Sequence, residues 1–345
     1  MKAARFYGPG KPLKVEDVTI PKVGCNDVLI KVKACGVCYS DVHKLHGSVI
    51  LEHTPITLGH EISGEIAEIG TDVKGFRKGD RVAVCCMVPC GHCQLCLTGR
   101  ENICARGEVT IGMQLDGGLA EYTLAPAGNV FKIPDTISFE EAAILTDALA
   151  TPYHAIRLLC IKPGDWVVIY GMGGLGMCAV QVANVNGGRV IGVDLFDQKL
   201  KMAKELGAEY TINATKENPV RRTIELTKGG ADIAMEFIGL AKTVQQAIKS
   251  VKRSGKVMLV GIGKGVFNVD WQDILFKQLS LFGCYGVVRA DFPKLIELVS
   301  TGRINLKRLI THIVPLTEAN KAIEILDKKI GDPIRVVVKP EEQIK

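Results

Sequence analysis

The six residues Gly171-Met172-Gly173-Gly174-Leu175-Gly176 constrain this chain more than any other stretch. They follow the β-branched run 166–170 and open a segment of helix length, and few folds place glycines at such a junction. Glycine lets a backbone turn tightly and approach a ligand closely, and a helix starting there points unpaired N–H groups at the turn. A pyrophosphate suits that arrangement. The next strand-like run, Val190-Ile191-Gly192-Val193, ends on Asp194, eighteen residues past Gly176. A carboxylate there accepts both ribose hydroxyls and repels a 2′-phosphate, while Leu195-Phe196 brings no arginine to bind one. NAD is therefore expected over NADP. The competing structural readings are a glycine turn without ligand and an Asp194 that only caps the next helix.

From Asp165 onward, strand-like runs alternate with helix-length segments. The strands are expected at 166–170, 189–194, 210–213, 233–237 and 256–261, with helices at 199–206, stopped by Gly207, and 243–251. Repeated βα units specify a doubly wound parallel sheet. Up to about Lys132 the texture differs: short alternating runs at 28–32, 62–69, 80–84 and 119–124, broken by glycine, predict a barrel-like, mostly β domain. After Pro134, Ser138-Phe139-Glu140-Glu141 is a capping-box signature, and helical periodicity runs from it towards Leu159. A helix near 317–328 and a strand at 335–338 return to the first domain. The expected class is α/β, with one domain from 1–148 and 289–345 and the other from 149–288.

At 345 residues the chain exceeds the length at which a single core keeps growing, so two domains are the natural expectation. Charge adds little. The net +6 is dispersed, with pairs such as Lys252-Arg253 and no basic block, so nucleic-acid binding is not expected. No apolar run resembles a signal peptide or a membrane span, and the expected setting is the cytoplasm, with no membrane partner. In such a reducing compartment, the crowding of cysteines between 85 and 104 reads as metal ligation rather than a disulfide framework.

Cys90, Cys93, Cys96 and Cys104 form Cys-x2-Cys-x2-Cys-x7-Cys in a loop holding Pro89, Gly91 and Gly99. Four thiolates close a tetrahedral zinc shell without an open position, which makes the site structural. A redox pair or an iron–sulfur cluster is the lesser alternative. Elsewhere Cys38 follows a strand, and His60-Glu61 sits in Leu58-Gly59-His60-Glu61. A catalytic zinc takes about three protein ligands and keeps one position open, which these residue types suit. From the residues alone, a buried cysteine and an ordinary histidine remain equally good readings.

The stretch Gly36-Val37-Cys38-Tyr39-Ser40-Asp41-Val42-His43, the Gly59-His60-Glu61 step, the four-cysteine lobe, Asp116-Gly117-Gly118-Leu119-Ala120-Glu121-Tyr122 and the glycine turn together resemble zinc-containing medium-chain alcohol dehydrogenases. The likeness covers essentially the whole chain. It implies a Rossmann domain beside a GroES-like catalytic domain, two zinc ions per subunit, NAD, and reversible hydride transfer from an alcohol. Cys38, His60 and Asp147 match ligands of the catalytic zinc, and Glu61 a nearby carboxylate that can replace bound water. Many relatives carry cysteine where Asp147 stands. Asp41 matches the acceptor that orients His60, Ser40 the hydroxyl beside the bound alcohol, and His43 the outer base of a proton relay.

The same likeness assigns Thr151 to the nicotinamide, Lys199 to the adenosine ribose, Ile238 to the adenine, Val260 to the carboxamide end and Arg335 to the pyrophosphate. Two positions depart from the family. Tyr39 stands where relatives often have arginine or histidine against the pyrophosphate, implying NAD held less tightly. Cys86 stands where they often have an aromatic pocket wall, implying room for a secondary, cyclic or bulky alcohol. A polyol, amino-alcohol or hydroxyacyl-thioester dehydrogenase shares all these motifs and is the rival within the fold. A non-catalytic zinc- and dinucleotide-binding protein is the rival outside it. Relatives pair through the cofactor domain, so a homo-oligomer, tetramer or dimer, is expected. Its edge strand is sought at Val266, Phe267 and Val269 or at 279–284.

Overall fold

A computed structural model describes residues 1–107, 109–263 and 266–340. The chain divides into two compact units, Met1–Ala150 with Gly286–Lys345, and Thr151–Tyr285. The last five residues of the expected 289–345 stretch lie outside the described residues.

The second unit is built on a six-stranded parallel sheet. In spatial order its strands are Tyr210–Asn213, Arg189–Asp194, Trp166–Tyr170, Ala231–Glu236, Val251–Leu259 and Ser280–Gly283. The first strand in sequence is third in space, and the order reverses beside it, which is the doubly wound topology. Its central strand, Trp-Val-Val-Ile-Tyr, has four of five residues buried, as a strand covered on both faces must. Val168, Ile191, Val193, Ile212, Ala234 and Val257 pack together in this core. Tyr170 buries its ring there and satisfies its hydroxyl against Ser250 Oγ at 2.6 Å.

In the first unit a seven-stranded sheet runs in the order Ile310–Pro315, Arg335–Lys339, Asp27–Val37, Glu61–Ile69, Arg81–Val84 and Val130–Lys132, with Tyr122–Pro126 also pairing Asp27–Val37. A three-stranded sheet of Lys14–Asp17, Lys2–Phe6 and Ile56–Thr57 joins it through an Ala3–Ala120 bridge. This is the mostly β domain that the alternating pattern requires. The eleven-residue strand Asp27–Val37 pairs with three others and delivers its end to Cys38.

Three local expectations change. The 266–269 segment is not a strand; Val266 is 89% exposed, whereas Ser280–Gly283 is one of the two edge strands of the sheet. The expected 119–124 strand starts at Tyr122, because Leu119 pairs instead with Leu58 in the loop before His60. Helical periodicity from Ser138 does run to Leu159, but Leu145–Leu149 is a π-turn between the helices Phe139–Ile144 and Ala150–Leu159. A π-turn inserts one residue into the helical repeat and swings the side chains inside it, a device common at functional sites. Asp147 lies in that turn.

Candidate active site and metal centres

Cys38, His60, Glu61 and Asp147 bring one donor atom each within 4.8 Å of one another. Three separate segments supply them. Cys38 follows the strand Asp27–Val37 and caps the helix Tyr39–Leu45, where Asp41 Oδ2 accepts from its backbone N–H at 3.1 Å. His60 and Glu61 start the strand Glu61–Ile69 behind Gly59, whose φ of +94° only glycine adopts readily. A Cβ at Gly59 would also lie 2.6 Å from Cys35 Sγ and 2.9 Å from Leu119 N. Asp147 comes from the π-turn.

His60 Nε2 lies 3.8 Å from Asp147 Oδ2 and 3.5 Å from Ser40 Oγ, and Nδ1 faces Asp41 Oδ1 at 3.7 Å. Burial alone would depress the imidazole, yet Asp41, with help from Asp147 and Cys38, holds its pKa well above the ordinary value. Glu61 Oε2 is buried without a hydrogen-bond partner, and one thiol, one imidazole and two carboxylates meet there. That donor set fits a divalent metal with borderline-soft character.

Glu61 and Arg335 form an ion pair with both side chains out of water. The Arg335 head is thus turned onto Glu61 within the first unit. Desolvation lowers its pKa, against the opposing pull of Cys38.

The four cysteines of the lobe also converge. Their sulfur atoms lie within 4.8 Å of one another, with pairs at 3.4 and 3.9 Å. A tetrahedral zinc–thiolate shell with bonds of about 2.3 Å has sulfur–sulfur edges near 3.8 Å, so the spacing fits a closed metal site. Amide N–H groups of Cys96 and Ala105 push Cys93 down to about 6, and Cys104 is lowered by Cys90 and Arg106 amides. Burial and its neighbouring thiols push Cys96 up to about 12. A cation in place of the shared protons would settle all four as thiolates.

In the second unit, the strand Trp166–Tyr170 enters Gly171 at φ +96°, and Gly173 caps the helix Gly174–Val185. A Cβ at Gly176 would run into the carbonyl oxygen of Gly171, so the helix can approach the turn only with glycine there. At Gly173 a Cβ would meet nothing within 4 Å, which leaves that face open to a ligand. Asp194 Oδ2 accepts from Met172 N at 2.7 Å, and Oδ1 accepts from Leu195 N and Phe196 N at 2.7 and 3.2 Å. The next helix, Asp197–Glu205, is capped by Phe196, so Asp194 is not its N-cap.

Family models match most of the chain: the alcohol dehydrogenase GroES-like domain over residues 24–135 and the zinc-binding dehydrogenase domain over residues 174–301. An alcohol dehydrogenase of Geobacillus stearothermophilus is 37% identical over 98% of this chain and 99% of its own. An NAD-dependent alcohol dehydrogenase of Sulfurisphaera tokodaii is 36% identical, over 97% of this chain and all of its own. The chain belongs to the zinc-containing medium-chain alcohol dehydrogenase family. Among solved structures, a protein of Sinorhizobium meliloti described as a zinc-binding dehydrogenase bound to NADP superposes with a TM-score of 0.92. It is 34% identical over 98% of this chain and 99% of that one.

Within this medium-chain dehydrogenase, the remaining expected residues fall in two groups. Ser40, 9% exposed, faces the metal cup, while Tyr39 is 44% exposed and meets His43 edge to face at 5.1 Å. In the second unit Thr151 is buried, Ile238 is 39% exposed, Val260 is half-buried and Lys199 lies 5.3 Å from the Phe196 ring. Two fully buried charges among the described residues escaped the sequence reading. Glu236 ends the strand Ala231–Glu236 and accepts from Ile238 N, Gly239 N and Thr243 Oγ1 at 3.0, 2.9 and 2.7 Å, fixing the turn that carries Ile238. An acid at a strand end before glycine was the available signal. Lys44, entirely out of water, gave none, because a lysine in a short helix ordinarily reads as solvated.

Proposed function

We propose that this chain is an NAD-linked, zinc-dependent alcohol dehydrogenase that moves a hydride reversibly between an alcohol and NAD, giving an aldehyde or ketone. The convergence of Cys38, His60, Glu61 and Asp147 donors within 4.8 Å carries the reading. Cys38, His60 and Asp147 would hold the catalytic zinc, with Glu61 as an exchangeable carboxylate, and Cys90, Cys93, Cys96 and Cys104 would hold the structural one. Zinc supplies a Lewis acid that makes an alcohol hydroxyl acidic near neutral pH, and NAD supplies the hydride acceptor.

The chain's own groups do the rest. Asp41 faces His60 Nδ1, which selects the tautomer that leaves Nε2 free as a donor to metal. Ser40 Oγ, 3.5 Å from that nitrogen, is placed to take the hydroxyl proton and pass it towards His43. The amides around Gly171, Gly173, Gly174, Leu175 and Gly176 receive the pyrophosphate, and Asp194 the adenosine ribose. Asp194 and the absence of a neighbouring arginine favour NAD over NADP. Lys199, Ile238, Thr151 and Val260 line the remainder of the dinucleotide, while Arg335 stays paired with Glu61. Tyr39 offers the pyrophosphate no charge, which favours rapid cofactor release.

Metal analysis followed by an NADH absorbance assay over an alcohol panel tests the reading. Zinc-replete protein should form NADH with an alcohol and lose that activity to a chelator; zinc-replete protein without alcohol-dependent NADH formation would refute it. Cys86 favours a second reading of the substrate as a polyol or another bulky or secondary alcohol. It is buried, its thiol is pushed up to about 12 by burial, and it senses the charges of His60 and Asp147. A small neutral side chain at this position supports a pocket wall set back from the cup.

Twelve cysteines without a disulfide suit a reducing cytoplasm. No described helix is long and apolar enough to cross a membrane. A homo-oligomer is supported by the edge strand Ser280–Gly283 and by Trp271 and Phe276, 66% and 60% exposed.

A further inference from the structure

Lys44 is the only fully buried lysine among the described residues. Its ammonium donates to Asp41 Oδ1 at 2.9 Å and to the Gly112 carbonyl at 3.4 Å. The same Asp41 oxygen faces His60 Nδ1, while Oδ2 accepts from Cys38 N. Gly112 belongs to the segment that returns from the four-cysteine lobe and packs on the peptide before His60: a Cβ there would lie 2.5 Å from the Gly59 oxygen. Lys44 thus ties down both supports of His60, the carboxylate behind its ring and the loop against its backbone.

An ammonium out of water is costly unless it is paired, and methionine or leucine would fill this volume without that cost. Charge explains the choice. Two carboxylates, Asp41 and Glu61, are fully buried around the cup, and each has its own cation, Lys44 and Arg335. With those pairs neutralised, the thiolate of Cys38 and the carboxylate of Asp147 are left to match a divalent ion. Without Lys44, Asp41 would be an unbalanced charge free to pull away from His60.

We propose that Lys44 is a positioning residue for the catalytic metal: it fixes the Asp41 carboxylate that orients His60 and cancels the charge that carboxylate adds behind the metal. This rests on the reading of Cys38, His60 and Asp147 as zinc ligands.

The test compares wild type, Lys44→Met, Lys44→Arg, Asp41→Asn and the Asp41→Asn/Lys44→Met double variant. Zinc content is followed during dialysis against a chelator, and the visible absorption of the cobalt-substituted proteins reports metal geometry. Lys44→Met should lose the cup zinc about ten-fold faster or more, as outer-shell changes do, and shift the cobalt bands. The four-cysteine zinc should leave at the wild-type rate, and Lys44→Arg should restore the cobalt bands. Wild-type exchange and unshifted cobalt bands in Lys44→Met would overturn the proposal, whatever the melting temperature does.

Should Lys44→Met fail to fold, the double variant buries no unpaired charge. Because Lys44 acts through Asp41, and Asp41→Asn alone leaves that ammonium without its carboxylate, adding Lys44→Met to Asp41→Asn should not speed zinc loss by more than about two-fold. A further ten-fold or so would overturn the proposal. Wild-type protein that binds zinc only at the cysteine lobe would overturn the metal reading itself, and this inference with it.

Discussion

Arg335 of the strand Arg335–Lys339 closes on Glu61 of the strand Glu61–Ile69, and neither side chain reaches water. Breaking a buried pair from one side leaves an uncompensated charge, whereas removing both charges does not. Arg335→Met should therefore destabilise the metal-free protein by about 3–5 kcal/mol in denaturant melts. Adding Glu61→Gln should recover most of that loss. Equal stability of the single and double variants would sink the assignment.

The lobe sulfur atoms sit at zinc–thiolate spacing. Cys104→Ser removes one of four ligands and should halve the zinc content while lowering the melting temperature. The zinc that remains should be the portion whose removal abolishes alcohol oxidation, as sequential chelation with activity readings would show.

Asp194 already accepts three backbone amides and is expected to exchange part of that set for ribose hydroxyls. Hydrogen bonds to a charged group contribute about 1.5–3 kcal/mol. Asp194→Ala should lower kcat/KM for NAD by roughly ten- to a hundred-fold and narrow the gap to NADP. Steady-state kinetics with both dinucleotides would measure it, and an unchanged NAD/NADP ratio would contradict the assignment.

Cys86 is the small, buried neighbour of the cup. Cys86→Trp should cut kcat/KM for bulky secondary alcohols by about ten-fold or more relative to short primary ones, since lost pocket volume acts on the larger substrate first. An unaltered substrate profile would remove Cys86 from the pocket.

Glu140 pairs with Lys339 at 2.7 Å between the helix Phe139–Ile144 and the strand Arg335–Lys339. Burial would raise the carboxyl, but the lysine wins and lowers it. A depressed acid contributes stability above its unfolded pKa of about 4.3 and loses it as pH falls through the folded value. Lys339→Met should thus cost about 0.5 kcal/mol at neutral pH and nothing at a pH below the folded value, measured by urea melts across pH.

Features formed by neighbours in sequence were open to reading from the sequence. The glycine turn needs only strand, glycines and helix in succession, and the cysteine lobe closes within fifteen residues, so local spacing determined both. The strands at 166–170 and 189–194 match their expected bounds because residues buried on both faces leave a nearly unbroken apolar run. The 266–269 segment has a similar apolar content, yet no strand among the described residues pairs with it, and pairing is a tertiary property.

The catalytic cup could not be derived that way. Cys38, His60 and Asp147 are brought together by a strand end, a glycine-dependent turn and a π-turn far apart in the chain. Resemblance named these ligands, but only the fold shows their donors within reach of one ion. The same holds for the two cations behind the cup. Lys44 carried no signal in the sequence and Arg335 pointed elsewhere, and only the fold pairs each with one specific buried carboxylate. Local spacing by itself determined the dinucleotide turn, the lobe and the two-domain order. Tertiary structure decided which charges are buried together, because burial and long-range pairing depend on packing between segments that the sequence keeps apart.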